Sequence, residues 1–298
     1  MASRWLTART LLGLILIAGG LSWIVVQSNS SVSTIFFSVP VTIFLSTLIA
    51  LLAILTFLRG RTALREGLTV LPVPIAISTA IVHLIFFLIN YEIGKQLEAF
   101  AMSLTPLIWV VVFIMIGLSL PNADDTYRAP GDRPSGFSIA RDGLVITISI
   151  LFWSFCASLL YQEISFLRLW PLNLLVAYFF VFGGLALMSK GDQPVWSFLG
   201  ASALKAGFAL SAVTMTTYLL FLDAVPSLGN LGDALATGWI LLLFAGVSIT
   251  AMQFMSVLNH EGEMAESIKR NWHFLELFGF YIFLSMAPPT LFDMLGGL

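Results

Sequence analysis

Long apolar stretches, separated by mostly short polar segments, run through the whole chain. A helix needs about 20 predominantly apolar residues to cross a hydrocarbon core of about 30 Å. By that criterion we predict nine spans, near residues 8–27, 33–58, 67–90, 96–120, 141–161, 166–188, 195–222, 231–258 and 271–291. Backbone groups in a bilayer find partners only within helices or closed barrels, and runs of this length form helices. The pattern predicts an all-α, polytopic transmembrane helix bundle.

The composition supports this prediction. Hydrophobic residues make up 58% of the chain, charged residues 10%, and the mean hydropathy is +0.96. A water-facing surface needs far more charge, which excludes an ordinary soluble domain. The net charge of −2, without a basic patch interleaved with aromatic residues, gives no indication of a nucleic-acid partner. The single cysteine, Cys156, lies inside a predicted span and excludes a disulfide framework or a cysteine metal cluster.

Cationic residues are distributed unevenly between the two sides of the predicted bundle. If the N-terminus is cytoplasmic, eleven cations fall on the inner side and two, Lys95 and Arg168, on the outer side. The positive-inside rule then predicts a cytoplasmic N-terminus and a C-terminus outside. We expect a multi-pass protein of the cytoplasmic (inner) membrane. A cytoplasmic loop at 121–140 would separate a four-helix part, 1–120, from a five-helix part, 141–298, and a second polar loop is predicted at 259–270.

Lys205 is the cation nearest the middle of a predicted span, and ionisable residues at that depth are functional candidates. It lies ten residues into the stretch 195–222, about 15 Å along the helix. One interpretation is structural: the side chain packs inward against Ser202 and a carbonyl, or extends towards the headgroups. The other is a proton or ion relay, or a Schiff-base lysine. No carboxylate at matching depth is evident on a neighbouring predicted span.

Motifs for metal binding and catalysis are absent from the sequence. The three histidines, His83, His260 and His273, include no pair at a spacing of four residues. The sequence contains no HExxH, GxSxG, paired DxxxD or P-loop motif. We therefore expect that this chain binds no haem, copper or other metal itself, and we assign no catalytic residue.

Residues 272–276, Trp-His-Phe-Leu-Glu, form the most distinctive polar segment, at the predicted cytoplasmic start of the last span. The spacing of four residues places Trp272 and Glu276 on one helix face. Aromatic residues at this level commonly meet lipid headgroups. We predict that Trp272, His273, Glu276 and Arg270 form a contact site for lipid or for another subunit. An ordinary interfacial anchor is the structural alternative.

This segment resembles the start of the last helix of subunit III of haem-copper oxidases, the cytochrome c and quinol oxidase family. Similar motifs precede it in the same order: Arg141-Asp142-Gly143, Ile148-Ser149, Phe152-Trp153-Ser154-Phe155 and Ser158, then Pro171-Leu172-Asn173 and Gly183, then Gly232 and Ala236-Thr237-Gly238. The resemblance covers about residues 141–291. It departs from the family at Ile150, where an acidic residue is usual, and at Ile240 and Leu243, where histidines are usual. Four predicted helices precede it, where the family usually has two.

The resemblance implies a non-catalytic, subunit III-like component of a respiratory haem-copper oxidase complex. Such a component packs against the integral-membrane redox core subunit, binds phospholipids and supports proton uptake, while haem and copper are held by partner subunits. Two other classes stay open from the residues alone. One is a small secondary transporter or proton or ion channel that uses Lys205, and the other is a polytopic membrane enzyme whose site carries no motif recognised above.

Overall fold

All regular secondary structure in the described part of the chain is α-helical. The computed structural model describes residues 38–59, 61–89, 96–120, 169–188, 195–221, 228–259 and 264–294. The helices are α1 Val39–Arg59, α2 Arg61–Val70, α3 Pro72–Ile89, α4 Gln96–Ser119, α5 Leu172–Leu187, α6 Val195–Phe221, α7 Leu228–Asn259 and α8 Met264–Met294. The spans predicted at 8–27 and 141–161, and the loop at 121–140, lie outside these ranges.

Five described helices are long and apolar enough to cross a membrane: α1, α3, α4, α6 and α7. A helical, multi-pass membrane protein is thereby confirmed. The total of nine spans, the orientation of the termini and the identity of the membrane stay predictions.

The span predicted at 67–90 is wrong at its start, because residues 67–70 belong to α2. Pro72 has no backbone N–H and disfavours helical backbone at the residue before it. The helix accordingly breaks at Leu71 and resumes as α3. On α2, Ala63 and Leu68 are buried while Arg65 and Glu66 are partly exposed, the two-sided pattern of an amphipathic helix.

Two further boundaries differ from the prediction. The span predicted at 166–188 is interrupted at Trp170 and Pro171, so α5 begins at Leu172. The Pro171 carbonyl accepts the first helical hydrogen bond of α5 from the N–H of Leu175. The polar loop predicted at 259–270 is helical from Met264 onward. Low hydropathy marked the end of the apolar stretch there, but a charged sequence forms helix equally well, and Glu266 suits the positive end of the helix dipole.

Helix α7 lies with α3 at the centre of the bundle, since 83% of the apolar stretch of each of these two helices is buried. It runs antiparallel to α6: Gly207 lies opposite Leu241 and Ala245, and the Ser211 hydroxyl donates to the Gly238 carbonyl at 2.8 Å. A Cβ atom on Gly207 would lie 3.0 Å from the Leu241 carbonyl oxygen. The missing side chain therefore lets the two backbones approach closely, as small residues commonly do between membrane helices.

Helix α8 runs parallel to α6 and antiparallel to α7. Arg270 contacts Ser197 and Tyr281 contacts Phe208, and both pairs are 73 residues apart. The Tyr281 hydroxyl donates to the Phe208 carbonyl at 3.2 Å, and the Tyr281 ring packs edge-on against Trp239 of α7. These contacts fix which residues of α6 and α8 lie at the same level.

The predicted parts 1–120 and 141–298 share one core. One apolar cluster joins α3 to α5, α6, α7 and α8, and includes Ile77, Leu84, Trp239 and Phe244. A second cluster joins α1, α2, α3 and α4 to α7. The two parts therefore form a single bundle around α3 and α7.

We predict that Gly207→Val lowers the melting temperature of the purified protein in detergent. The added methyl groups would collide with Ala245 and the Leu241 carbonyl, and overpacking of this kind costs about 1–3 kcal/mol. Gly183→Val on α5 is the matched control, because a Cβ there meets nothing within 4 Å. Equal melting temperatures for the two variants would contradict the close α6–α7 approach.

We also predict a pH dependence from Glu66 on α2. Burial raises the pKa of its carboxyl, and the nearby Arg59 and Arg65 offset only part of that rise. The folded protein then holds this proton more tightly than the unfolded chain, so the free energy of unfolding falls as pH rises through the raised pKa. Glu66→Gln should raise the melting temperature at about pH 8 and change it little at about pH 4. The opposite pH order would contradict this assignment.

Candidate functional site

Helix α8 divides the predicted site residues between two faces. Arg270 is buried against the bundle, whereas Trp272, His273 and Glu276 are exposed. The structure therefore brings three of the four predicted contact residues together and places Arg270 on the other side of the helix. Their role in lipid or subunit contact stays a prediction.

Arg270 joins α8 to the first turn of α6. Its side chain is 6% exposed, and Nη1 donates to the Ser197 carbonyl at 2.6 Å and to the Ser197 hydroxyl at 2.9 Å. Nη2 donates to the Ser267 hydroxyl at 3.2 Å. A Cβ on Gly200 would lie 3.4 Å from the guanidinium of Arg270. The absence of a side chain at Gly200 therefore provides the space that the guanidinium occupies. Hydrogen bonds to neutral oxygens thus hold a buried cation in place, which makes Arg270 an internal anchor.

Asn271 satisfies a backbone carbonyl that a proline has left without its helical partner. In a continuous helix the Val70 carbonyl would accept from the N–H of residue 74, but Pro74 has none. The Asn271 amide donates to the Val70 carbonyl at 2.8 Å, and the Gln253 amide donates to Asn271 Oδ1 at 2.6 Å. This chain of bonds ties α8 to α7 and to the break between α2 and α3.

We call these residues together the polar junction; it comprises the Val70 carbonyl, Ser197, Gln253, Ser267, Arg270 and Asn271. Sequence reasoning placed Arg270 on the contact surface and overlooked the others. Two signals were present: Gln253 interrupts an apolar stretch, and Ser267 lies three residues before Arg270 on the same helix face. Ser197 carried no signal, because only the tertiary fold brings α6 to α8.

The exposed face of α8 is partly polar and partly aromatic. His273 Nδ1 lies 3.2 Å from Glu276 Oε2, and both side chains are more than half exposed. Trp272 is 61% exposed, and Phe280 and Phe283 extend the same face along the helix. The polar junction binds the opposite face of α8 to the bundle. The surface that contains Trp272, His273 and Glu276 therefore lies on a helix whose position is fixed.

Lys205 lies on the exposed side of α6, while Ser202 is buried. The interpretation that Lys205 packs inward against Ser202 is therefore wrong. Its span runs from Val195 to Thr217, which places Lys205 within one residue of the middle. A lysine at the centre of a spanning helix costs about 2.5–3.5 kcal/mol on insertion scales. An exposed lysine at this depth is accommodated by a polar neighbour outside the packed core or by extension of its side chain towards the headgroups.

Glu276 lies near the level of Lys205, which sequence reasoning did not reveal. In the register set by Arg270 with Ser197 and Tyr281 with Phe208, Glu276 lies level with Ala203. The difference from Lys205 is two residues, or about 3 Å. The expectation that no carboxylate matches the depth of Lys205 is therefore wrong. In the described part of the structure Glu276 bonds to His273 and forms no ion pair with Lys205.

Within the described ranges, no three His, Cys, Asp or Glu side chains lie together in a way that would hold a metal ion. His83 is half-buried on α3, and His273 is exposed on α8. Comparisons with models of protein families, with curated proteins and with solved structures find no match to this chain.

We predict that Asn271→Ala lowers the free energy of unfolding, measured by denaturation in detergent. The change leaves the buried Val70 carbonyl and the Gln253 amide without partners, at a cost of about 1–3 kcal/mol for each group. Asn173→Ala, at the exposed start of α5, is the control and should have little effect.

A second substitution tests the cause. Pro74→Ala restores an N–H that the Val70 carbonyl can accept, so Asn271→Ala should cost less in that background. A double-mutant cycle measures the coupling. Equal costs of Asn271→Ala in both backgrounds would show that Pro74 is not the reason for this bond.

Proposed function

We propose that this chain is a non-catalytic, subunit III-like component of a membrane respiratory haem-copper oxidase complex. The observation that carries the proposal is the segment 272–276 of α8, where Trp272, His273 and Glu276 face outward from a helix that the polar junction anchors. The Trp-His-Phe-Leu-Glu order of residues 272–276 resembles the corresponding helix of that family. Haem and copper would belong to partner subunits, and the parent complex would reduce oxygen with coupled charge movement.

The division of residues 272–276 between two faces supports a contact role. Phe274 is 1% exposed and its ring lies beside Gly246 of α7, so it holds the segment to the core. Trp272, His273 and Glu276 make no comparable contact with the described helices. An aromatic ring, an imidazole and a carboxylate on a fixed surface suit a subunit neighbour, because tryptophan is enriched in interfaces.

Other residues of the resemblance occupy structural positions that suit a scaffold. Pro171 directly precedes α5 as its N-cap residue. Gly238 packs against Met215, and its carbonyl accepts a hydrogen bond from the Ser211 hydroxyl. The centre of the bundle, around Trp239 and Phe244, is filled with apolar side chains. A packed interior of this kind supports work at the surface: binding the redox core subunit, holding lipids and supporting proton uptake there.

The alternative of a transporter or channel uses Lys205. Since this lysine is exposed, a relay would run along the outside of α6 and not through the packed centre of the bundle. This second function makes a distinct prediction: the purified chain alone would move a solute or protons across vesicles, and Lys205→Met would abolish that movement.

The test is to purify the chain with its neighbours from native membranes in mild detergent. We expect a visible haem spectrum and a large integral-membrane partner in the subunit list. A preparation without haem proteins, whose transport in vesicles depends on Lys205, would contradict the oxidase proposal and support the alternative.

We further predict that His273→Ala combined with Glu276→Ala weakens subunit or lipid association while the haem-to-protein ratio of the complex stays unchanged. Loss of a central contact in an interface commonly lowers affinity about tenfold or more. Phe57→Ala is the control, because Phe57 is 88% exposed on the distant helix α1. Loss of haem from the double variant would contradict a peripheral contact role.

A further inference from the structure

The exposed sides of α6 and α8 carry matching patterns of large, small and charged residues. On α8, Trp272, Glu276, Phe280 and Phe283 are exposed, at helix spacings of four, four and three residues. On α6 the same spacing is repeated by small residues around the lysine: Ala201, Lys205, Ala209 and Ala212. Lys205 and Ala209 are exposed, and the other two alanines are half-buried. The α8 surface presents bulk and a negative charge. The α6 surface presents a positive charge and small residues, and the 64% exposed Val213 borders it.

The two patterns also match in level. Each α8 residue is 71 positions after its counterpart on α6: Trp272 with Ala201, Glu276 with Lys205, Phe280 with Ala209, and Phe283 with Ala212. Side-chain hydrogen bonds join residues 73 positions apart on the two parallel helices. Every counterpart therefore lies within about one helical turn of its match.

Both surfaces turn away from α7, on the same side of the α6–α8 pair. Helix α6 meets α7 through Gly207 and Ser211, and α8 meets it through Phe274 and Phe278. At 100° per residue, Lys205 and Ala209 on α6 and the four patterned positions on α8 fall on the far side of each helix from these contacts. Ala201 and Ala212 lie on the flank of α6, nearer to Phe208, which contacts α8. A neighbour approaching from that side would meet both surfaces together.

We propose that this surface pairs with the same surface of a second copy of the chain, related by a two-fold axis along the membrane normal. Rotation about that axis leaves every residue at its own depth in the membrane. The residues of α8 in one copy therefore meet their counterparts on α6 of the partner at similar depths. Glu276 of each copy then faces Lys205 of the other, and the aromatic rings lie over alanines. The interface is isologous, with two equivalent ion pairs.

A second copy of the chain gives both Lys205 and Glu276 a partner of opposite charge without requiring any other protein. Lys205 lies at mid-span without an ion-pair partner in the described structure, and Glu276 supplies a carboxylate near its level. Alanines beside the lysine allow a neighbouring helix to approach closely, as in other membrane interfaces. This inference rests on the proposed function in taking the outer face of α8 as a subunit contact. It assigns that face to a second copy of the chain, so a redox core subunit would contact another face of the bundle. It does not depend on haem or on an oxidase.

The experiment uses the full chain in discs of native membrane, with two tags to report pairing. Lys205→Glu and Glu276→Lys, each expressed alone, should reduce the fraction of dimer at least about tenfold, since like charges then meet. Co-expression of the two variants should restore pairing between the two tags, because every facing pair is again opposite in charge. An ion pair within one copy would not be rescued in this way, so failure of the mixed pair to form would overturn the proposal.

Cross-linking supplies a second readout, in a background with Cys156→Ser. Ala209→Cys combined with Phe280→Cys should give a covalent dimer on oxidation. Phe57→Cys and Phe180→Cys, exposed on α1 and α5, are the controls and should give none. A disulfide to a different protein, or only within one copy, would overturn the proposal. A dimer that co-purifies with no haem protein would support the pairing of two copies and contradict the oxidase assignment. A monomeric chain that co-purifies with haem subunits would contradict the pairing and support the oxidase assignment.

Discussion

The position of α8 depends on one constraint: polar groups buried in a membrane bundle must find partners within the protein. Pro74 removes the N–H that the Val70 carbonyl would otherwise accept, and Asn271 takes its place at 2.8 Å. The adjacent Arg270 is held by Ser197 of α6. These two neighbouring residues set the height and rotation of α8, and the height and rotation decide which side chains face outward. The surface with functional potential is therefore a consequence of how the interior satisfies its hydrogen bonds.

The existence of the helices was predictable from the sequence, because apolar runs of about 20 residues have one stable backbone form in a bilayer. Their ends were less predictable. Hydropathy placed the start of the third span at residue 67, whereas Pro72 ends α2 at Val70, and it treated residues 264–270 as loop, where α8 has already begun. Hydropathy reports which solvent a segment prefers, while prolines and helix-end interactions determine where a helix stops.

The candidate site was predictable only in part. The spacing of Trp272 and Glu276 correctly placed them on one face, and both are exposed. The burial of Arg270 depends on the rotation of α8 about its axis, and the outward position of Lys205 depends on the rotation of α6. Most residues of these helices are apolar, so the sequence pattern does not indicate which face of each helix is buried. The similar level of Glu276 and Lys205 follows from contacts 73 residues apart, and no local pattern contains that information. The register between α6 and α8 could therefore not be predicted from the sequence.

The proposed contact function rests on a packed centre around α3 and α7, an anchored α8 and an outward surface with opposite charges. Native mass spectrometry of assemblies released directly from the membrane tests this account most directly. We predict that the chain leaves the membrane bound to a larger integral membrane partner that carries haem. Release of the chain with lipid alone, under conditions that keep other membrane complexes intact, would contradict it.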